Sequence, residues 1–290
     1  MNDVTSIDAG KAERALTFEP GAAERDPVAW SRRSALQERL LSIATPIVFF
    51  LLWEAASRAG WIDTRFFPAP SRIMVSAVEM AQAGTLSKDI FASLNRVLLG
   101  FALGTVTGLI AALVLGLSRL TRAAFEPFLT ALYTVPKLAI LPLLLLIFGL
   151  GELPTILLVG MTVFFVVWIT CMEAVLTVSP SYRETALAFG ANGWDMFRHV
   201  TWPAILTQIF VSMRLAIGMA VLVIVGVEFV QADVGIGFRI WNSWSLFQAD
   251  RMYVGICTVA LLGYLLTTLV RYTGYFALPW VRRTHGGHGH

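Results

Sequence analysis

The run Asn95-Arg96-Val97-Leu98-Leu99-Gly100-Phe101-Ala102-Leu103-Gly104-Thr105-Val106-Thr107-Gly108-Leu109-Ile110-Ala111-Ala112-Leu113-Val114-Leu115-Gly116-Leu117 decides the fold of this chain. From Val97 onward it carries no charge, and a helix needs about 20 such residues to cross a bilayer core. Lipid offers no water to backbone N–H and C=O groups, so a spanning segment is an α-helix or a strand of a closed barrel. Barrel strands alternate apolar and polar over roughly 10 residues, and this run does not alternate. Instead Gly100, Gly104, Gly108, Ala112 and Gly116 recur at every fourth position, one stripe of a helix. Helices in lipid associate through dispersion and close approach, so the stripe predicts a tightly packed neighbour, from the same chain or from a second copy.

Comparable blocks occupy the rest of the sequence. Of 290 residues, 57% are hydrophobic and 14% charged, with a mean hydropathy of +0.70; soluble domains carry about 25% charged residues. Six spans are expected, near 41–59, 95–117, 126–149, 153–178, 204–229 and 253–275, which makes the chain an all-α polytopic membrane protein. A membrane domain then covers 41–280, between a partly disordered tail at 1–40 and a short C-terminal tail at 281–290. The first 40 residues lack the apolar core of a cleaved signal peptide. Phe67-Pro68-Ala69-Pro70-Ser71 ends the first span, with Ser71 as N-cap of a short interfacial helix.

Arg32, Arg33 and Arg39 before the first span, with Arg119, Arg122, Arg183, Arg198, Arg282 and Arg283, favour the cytoplasm for both termini and for the gap 179–203. A net charge of +3, spread along the chain, argues for no nucleic-acid partner. Cys171 and Cys257 lie in apolar runs without metal-ligand or redox spacing and read as packing residues.

The gap between the fourth and fifth spans leaves the membrane. Pro180 and Ser181 open a short helix whose face carries Tyr182, Ala186 and Phe189. Gly190 and the pair Asn192-Gly193 permit a turn needing positive φ, and a second helix runs from about Trp194 into the fifth span, with Pro203 at its entrance. A short helix held against a glycine turn between two spans makes a knob suited to a groove on a partner; an ordinary amphipathic loop helix is the alternative.

This loop resembles the cytoplasmic loop of binding-protein-dependent ABC importer permeases, which reads E-A-A, three residues, G, nine residues, I, one residue, L-P. Here Glu184, Thr185 and Ala186 are followed by Gly190, Val200 and Trp202-Pro203 at the same spacing, with Thr, Val and Trp as departures. Phe67 to Ser71, Ser93 to Phe101, Val135 to Leu143 with Phe148 to Glu152, and Glu228 before Gly235-Ile236-Gly237 resemble the nitrate/sulfonate/taurine/bicarbonate branch. The likeness runs over about residues 40 to 280.

The resemblance implies a type I importer permease of the MetI-like fold in a bacterial inner membrane. It implies a homodimer served by two ABC ATPase subunits and by a periplasmic or lipid-anchored substrate-binding protein. ATP and Mg belong to the ATPase, since this chain has no GxxxxGK[ST] motif and is not itself an enzyme. Tyr182, Glu184, Ala186, Phe189, Gly190, Val200 and Pro203 are then the coupling residues. The cargo is a small, anionic solute such as a sulfonate, taurine, nitrate or bicarbonate, with an aromatic acid or a thiamine-precursor pyrimidine as alternatives. A secondary transporter would need an inverted repeat, and the halves show none.

Lys137, Glu173 and Arg214 fall inside spans, where ionisable groups face a protein interior or a wet cavity. Lys137, flanked by Pro136 and Pro142, sits on a kinked helix; with Arg214 it forms a cationic lining, unless Arg214 snorkels or pairs with Glu173 and Lys137 pairs within the bundle. Glu54 and Glu228, near the outer ends, suit hydrogen-bonding or gating roles. His285, His288 and His290 form a solvated tail or a loose metal site; no other metal ligands are expected.

Overall fold

The computed structural model describes residues 27–278, and the expectations for the extreme N-terminus and for the histidine-bearing tail lie outside those residues. The chain divides into two units, up to Ile62 and from Asp63 onward. The first holds a single long helix, α1 (Pro27–Arg58). It starts well before the apolar stretch that predicted it. Ala35–Arg58 is apolar enough to cross a membrane, and Glu54 is paired with Arg58 one turn on, at 2.6 Å.

The second unit is built from α2 (Pro70–Gln82), α3 (Thr85–Leu117), α4 (Arg119–Thr134), a 3-10 turn (Lys137–Ile140), α5 (Leu141–Phe148), α6 (Glu152–Leu176), α7 (Pro180–Ala188), α8 (Gly193–Met196), a π-turn (Phe197–Thr201), α9 (Trp202–Gln231), α10 (Ile236–Ser245) and α11 (Ala249–Ala277). Together with α1, five described helices are long and apolar enough to span a bilayer. A sixth span arises if α4 and the segment 137–148, which meet at 90°, are one broken crossing. Five of the six expected spans are thus present as single helices, and the third is a pair of segments bent through a right angle. Val135 is extended there and Pro136 has no N–H to continue the ladder.

At α2 the expected cap is displaced. Proline at the first helical position pre-sets φ, so the helix begins at Pro70 with Ala69 before it, and Ser71 lies inside the first turn.

The core of this unit lies where α3, α6 and α9 meet, with Val97, Val159, Val163, Phe165, Trp168, Ile205, Ile217 and Ile224 all sealed from solvent. The small-residue stripe makes it possible. It faces α6 of the same chain: a Cβ on Gly100 would fall 2.7 Å from Val159, and one on Gly104 would strike the Gly160 carbonyl and Val163. On Gly108 it would meet the Phe164 carbonyl at 2.7 Å, and on Gly116 it would meet Val175 at 2.8 Å. Ala112 is fully buried in the same seam. Of the two partners left open by the sequence, the stripe is used within the chain. α4 differs from its neighbours in burying none of its residues.

Candidate functional site: coupling loop and buried charge network

Two places in the second unit gather functional residues, at opposite ends of the helices. The first is the loop between α6 and α9. Pro180 occupies the first helical position of α7 and Ser179, not Ser181, precedes it as N-cap, for the reason given at α2. Ser181 instead accepts through its carbonyl from the Thr185 hydroxyl at 2.8 Å. The end of α7 is closed by two backbone bonds: Gly190 N–H donates to the Leu187 carbonyl at 2.9 Å and Ala191 N–H to the Ala186 carbonyl at 3.0 Å. This is the Schellman arrangement, which requires a left-handed residue at the position Gly190 fills, with φ of 78°. A Cβ on Gly190 would meet nothing within 4 Å, so backbone conformation, not space, requires glycine.

Asn192 then caps α8, its side-chain oxygen accepting from the N–H groups of Trp194 and Asp195, both at 2.9 Å. The chain passes without a break into α9, so that Gly193–Gln231 forms one helical run. The π-turn at Phe197–Thr201, which holds the half-buried Val200, lies directly before Pro203 in the first turn of α9. A widened turn relieves the clash between a proline ring and the carbonyl four residues earlier. Ring contacts from Trp194 to Phe197 (5.6 Å) and from Phe197 to Trp202 (6.0 Å) stiffen this base.

The loop leaves Tyr182, Leu187, Phe189 and Trp194 exposed, Phe189 by 88%. Glu184 is exposed beside them and Ala186 is half-buried. Leu187 and Trp194 were not singled out from the sequence, because neither belongs to the Tyr182–Ala186–Phe189 spacing. At the root of the loop a cavity of about 530 Å³ is lined by Thr170, Glu173, Thr177, Tyr182, Thr207 and Gln208, among others.

The second place is a buried charge network at the other end. The face of α3 that carries the small residues carries Asp89, Ser93 and Arg96 toward its start, all buried. Arg96 is the hub. Its Nε and Nη2 donate to the two carboxylate oxygens of Glu152 at 2.5 and 2.6 Å. Its Nη1 donates to Glu228 and to the Val234 carbonyl, both at 2.7 Å. Glu228 also accepts from the Ser93 hydroxyl and from Gly237 N–H, both at 2.8 Å. Ser93 accepts in turn from Ile236 N–H at 2.8 Å. Asp89 accepts from Gly235 N–H at 3.1 Å and from Arg239 at 2.7 Å.

The N–H groups of Gly235, Ile236 and Gly237, which open α10, thus end on side chains of α3 and α9. A helix N-terminus carries partial positive charge and unsatisfied donors, which suits buried carboxylates. The glycines flanking Ile236 are required sterically: a Cβ on Gly235, whose φ is 142°, would lie 2.5 Å from the Glu228 carboxyl, and one on Gly237 would lie 2.6 Å from the Val225 carbonyl. The expectation of a hydrogen-bonding role for Glu228 agrees with this geometry. Asp89, Arg96 and Arg239 were not singled out from the sequence; the expected span starts at Asn95, whereas α3 begins at Thr85 and so carries Asp89 into the packed face.

Lys137 stands at the break in the third span. Its ammonium donates to the carbonyls of Leu132 (3.4 Å), Tyr133 (2.5 Å) and Val135 (2.8 Å), and lies 4.7 Å from the centre of the Phe165 ring and 5.1 Å from that of Tyr133. Arg214 is exposed midway along α9 and forms no ion pair with Glu173 or any other described residue.

On the side of α10 a cavity of about 1030 Å³ is bordered by Phe66, Arg72, Trp244, Phe247 and Asp250, among others, with Arg72 and Asp250 paired at 3.0 Å. Beside it, the Arg65 guanidinium holds the Asp63 carboxyl below its usual range.

Similarity to known proteins identifies a permease subunit. The family described as binding-protein-dependent transport system inner membrane component matches residues 104–274, and the chain belongs to it. Among its relatives is SsuC of Escherichia coli (strain K12), named for aliphatic sulfonates transport, 32% identical over 235 residues, which are 81% of this chain and 89% of that protein. The taurine transport system permease protein TauC of the same organism is 27% identical, covering 83% of this chain and 89% of that one. The nitrate import permease protein NrtB of Synechococcus elongatus is 26% identical, covering 91% and 98%. The fold is that of the MetNI methionine ABC transporter in its inward facing conformations, with a TM-score of 0.58 at 18% identity over 69% of this chain and 98% of that chain. It is also that of a bacterial alginate ABC transporter (TM-score 0.57, 15% identity, 88% and 96%). The protein is therefore a multi-pass inner-membrane ABC importer permease subunit, and ATP hydrolysis falls to a separate ATPase.

Proposed function

We propose that two copies of this chain form the path of a bacterial importer for a small anionic solute: a sulfonate, taurine, nitrate or bicarbonate. Two ABC ATPase subunits, carrying ATP and Mg, dock on the loop 180–203, and a periplasmic or lipid-anchored binding protein delivers the solute. The loop and both termini face the cytoplasm. Tyr182, Leu187, Phe189 and Trp194 are the apolar contacts of the docking surface, Glu184 its charge, and Gly190 and Asn192 fix its shape. Val200 and Pro203 join it to α9, so a displacement of the knob reaches the membrane helix directly.

The observation that carries the anionic reading is Arg214. It lies about 18 Å along the helix from Trp202 and about 26 Å from Gln231, well inside the span. Facing lipid there, an arginine costs about 3 kcal/mol on insertion scales. Its exposed side therefore belongs to a wet path or to the second copy. A twofold axis doubles that charge, and the Lys137 ammonium adds to it, giving a field that draws anions. The names of SsuC, TauC and NrtB, which refer to sulfonates, taurine and nitrate, support this class.

The test is co-expression with candidate ATPase and binding-protein subunits. Retention of the ATPase through purification is expected, with thermal-shift stabilisation of the binding protein by anionic ligands. A binding protein stabilised only by neutral or cationic ligands would sink the anionic reading, and a chain that never retains an ATPase would sink the docking one.

A further inference from the structure

At the right-angle break of the third span, a single side chain replaces the donors that the helix loses. In a continuous helix the Tyr133 carbonyl would accept from the backbone N–H of residue 137 and the Leu132 carbonyl from that of residue 136. Pro136 has no N–H, and the extended Val135 moves residue 137 out of line. The Leu132 carbonyl keeps one backbone donor, the Val135 N–H at 3.3 Å, and the Tyr133 and Val135 carbonyls receive the ammonium of Lys137, which also makes a longer contact with Leu132. An ammonium has three N–H donors, so all three are engaged. Aromatic faces of Phe165 and Tyr133 cover the charge.

The two arms of the break are held differently. On the far side Leu141 is buried with Leu158 and Val227, and the Leu138 side chain lies against Gly226 of α9. On the near side α4 buries none of its residues; Leu129 and Leu132 pack against the core, and the Tyr133 ring lies 5.9 Å from that of Phe165. Lys137 thus belongs to the fixed arm and grips the last carbonyls of the loose one, where the negative end of the α4 dipole favours a cation.

We propose that Lys137 is a positioning residue for transport: it holds α4 at a right angle to α5 by occupying the carbonyls that straightening would return to the helix, and so sets the balance between a bent and a straighter third span. Such a two-state element is what a conformational cycle can bias. Lys137 then acts through the backbone of α4, without spending a hydrogen bond on cargo. The proposal is independent of what the cargo is.

Spin labels at Phe125 and Leu146, both exposed, measure it in nanodiscs. Labelled chain, with Cys171 and Cys257 replaced, is mixed with excess unlabelled chain so that only distances within one copy are read. For arms of about 15 Å each, a right angle gives roughly 21 Å and a straight helix about 30 Å. The wild type is expected at the shorter distance. Lys137→Met, which keeps the length of the side chain and removes its donors, is expected to lengthen it by several ångströms or to add a longer population, and Lys137→Arg to restore it. The proposal is overturned if Lys137→Met keeps the wild-type distance, or if Lys137→Arg lengthens it as far as Lys137→Met does. Should Lys137→Met fail to accumulate in the membrane, Lys137→Leu, which likewise has no donor, takes its place under the same two criteria. Neither result depends on cargo, so failure here is distinct from failure of the anionic reading.

Discussion

Arg96 and Glu228, on α3 and α9, meet at 2.7 Å with side chains only 8% and 1% exposed. Removing one partner of such a pair leaves the other charge buried and uncompensated, which costs about 3–5 kcal/mol. Arg96→Met is therefore expected to lower thermal stability in detergent by that order. Arg96→Lys is expected to recover little, because a point ammonium cannot serve Glu152, Glu228 and the Val234 carbonyl together. Calorimetry or a fluorescence melt checks this; a loss below about 1 kcal/mol for Arg96→Met would show that the network is incidental.

Gly104 packs against the backbone of α6, where even a methyl group would strike the Gly160 carbonyl and Val163. Gly104→Ala is expected to destabilise by about 1–3 kcal/mol, as overpacking does, and Gly104→Leu to abolish accumulation in the membrane. Gly218, whose nearest neighbour to such a methyl is Thr267 at 3.8 Å, is the control, and Gly218→Ala should be nearly silent. Equal effects at the two positions would refute close packing as the cause.

In the loop, Gly190→Ala forces a Cβ into the left-handed region, at a cost of about 1–2 kcal/mol, while meeting no neighbour. The membrane helices should melt as before, while co-purification of the ATPase weakens. Gly190→Asn should be milder than Gly190→Val, since asparagine tolerates this conformation. If all three retain the ATPase equally, the turn does not shape the docking surface.

Asn192→Ala removes both side-chain caps of α8, a loss of about 0.5–2 kcal/mol confined to this turn. Hydrogen exchange at the Trp194 and Asp195 amides should accelerate, with Asn192→Asp restoring protection. Unchanged exchange in the alanine variant would exclude the cap.

What was legible in the sequence was local. The period of four from Gly100 to Gly116 announces a close helix contact, and Gly190 with Asn192-Gly193 announces a turn, because each signal is complete within a few residues. The right-angle break was half legible. Pro136 predicts a kink, but the apolar run 126–149 continues through it, and no composition signal measures an angle. The charge network escaped because its members gain meaning only in space. Asp89 is solvated on paper and buried in fact, and it becomes so only when Gly235 and Arg239, some 150 positions later, fold over it.

The wide spacing of the network also orders the protein's assembly in time. Arg96 is made 56 residues before Glu152 and 132 before Glu228. At ribosomal speeds of about 5–20 residues per second, several seconds separate it from the first carboxylate and on the order of ten or more from the second. Glu152, made first, remains partly solvated in the finished fold, whereas Glu228 is sealed. The network is therefore complete only once Glu228 and the opening amides of α10 have been made.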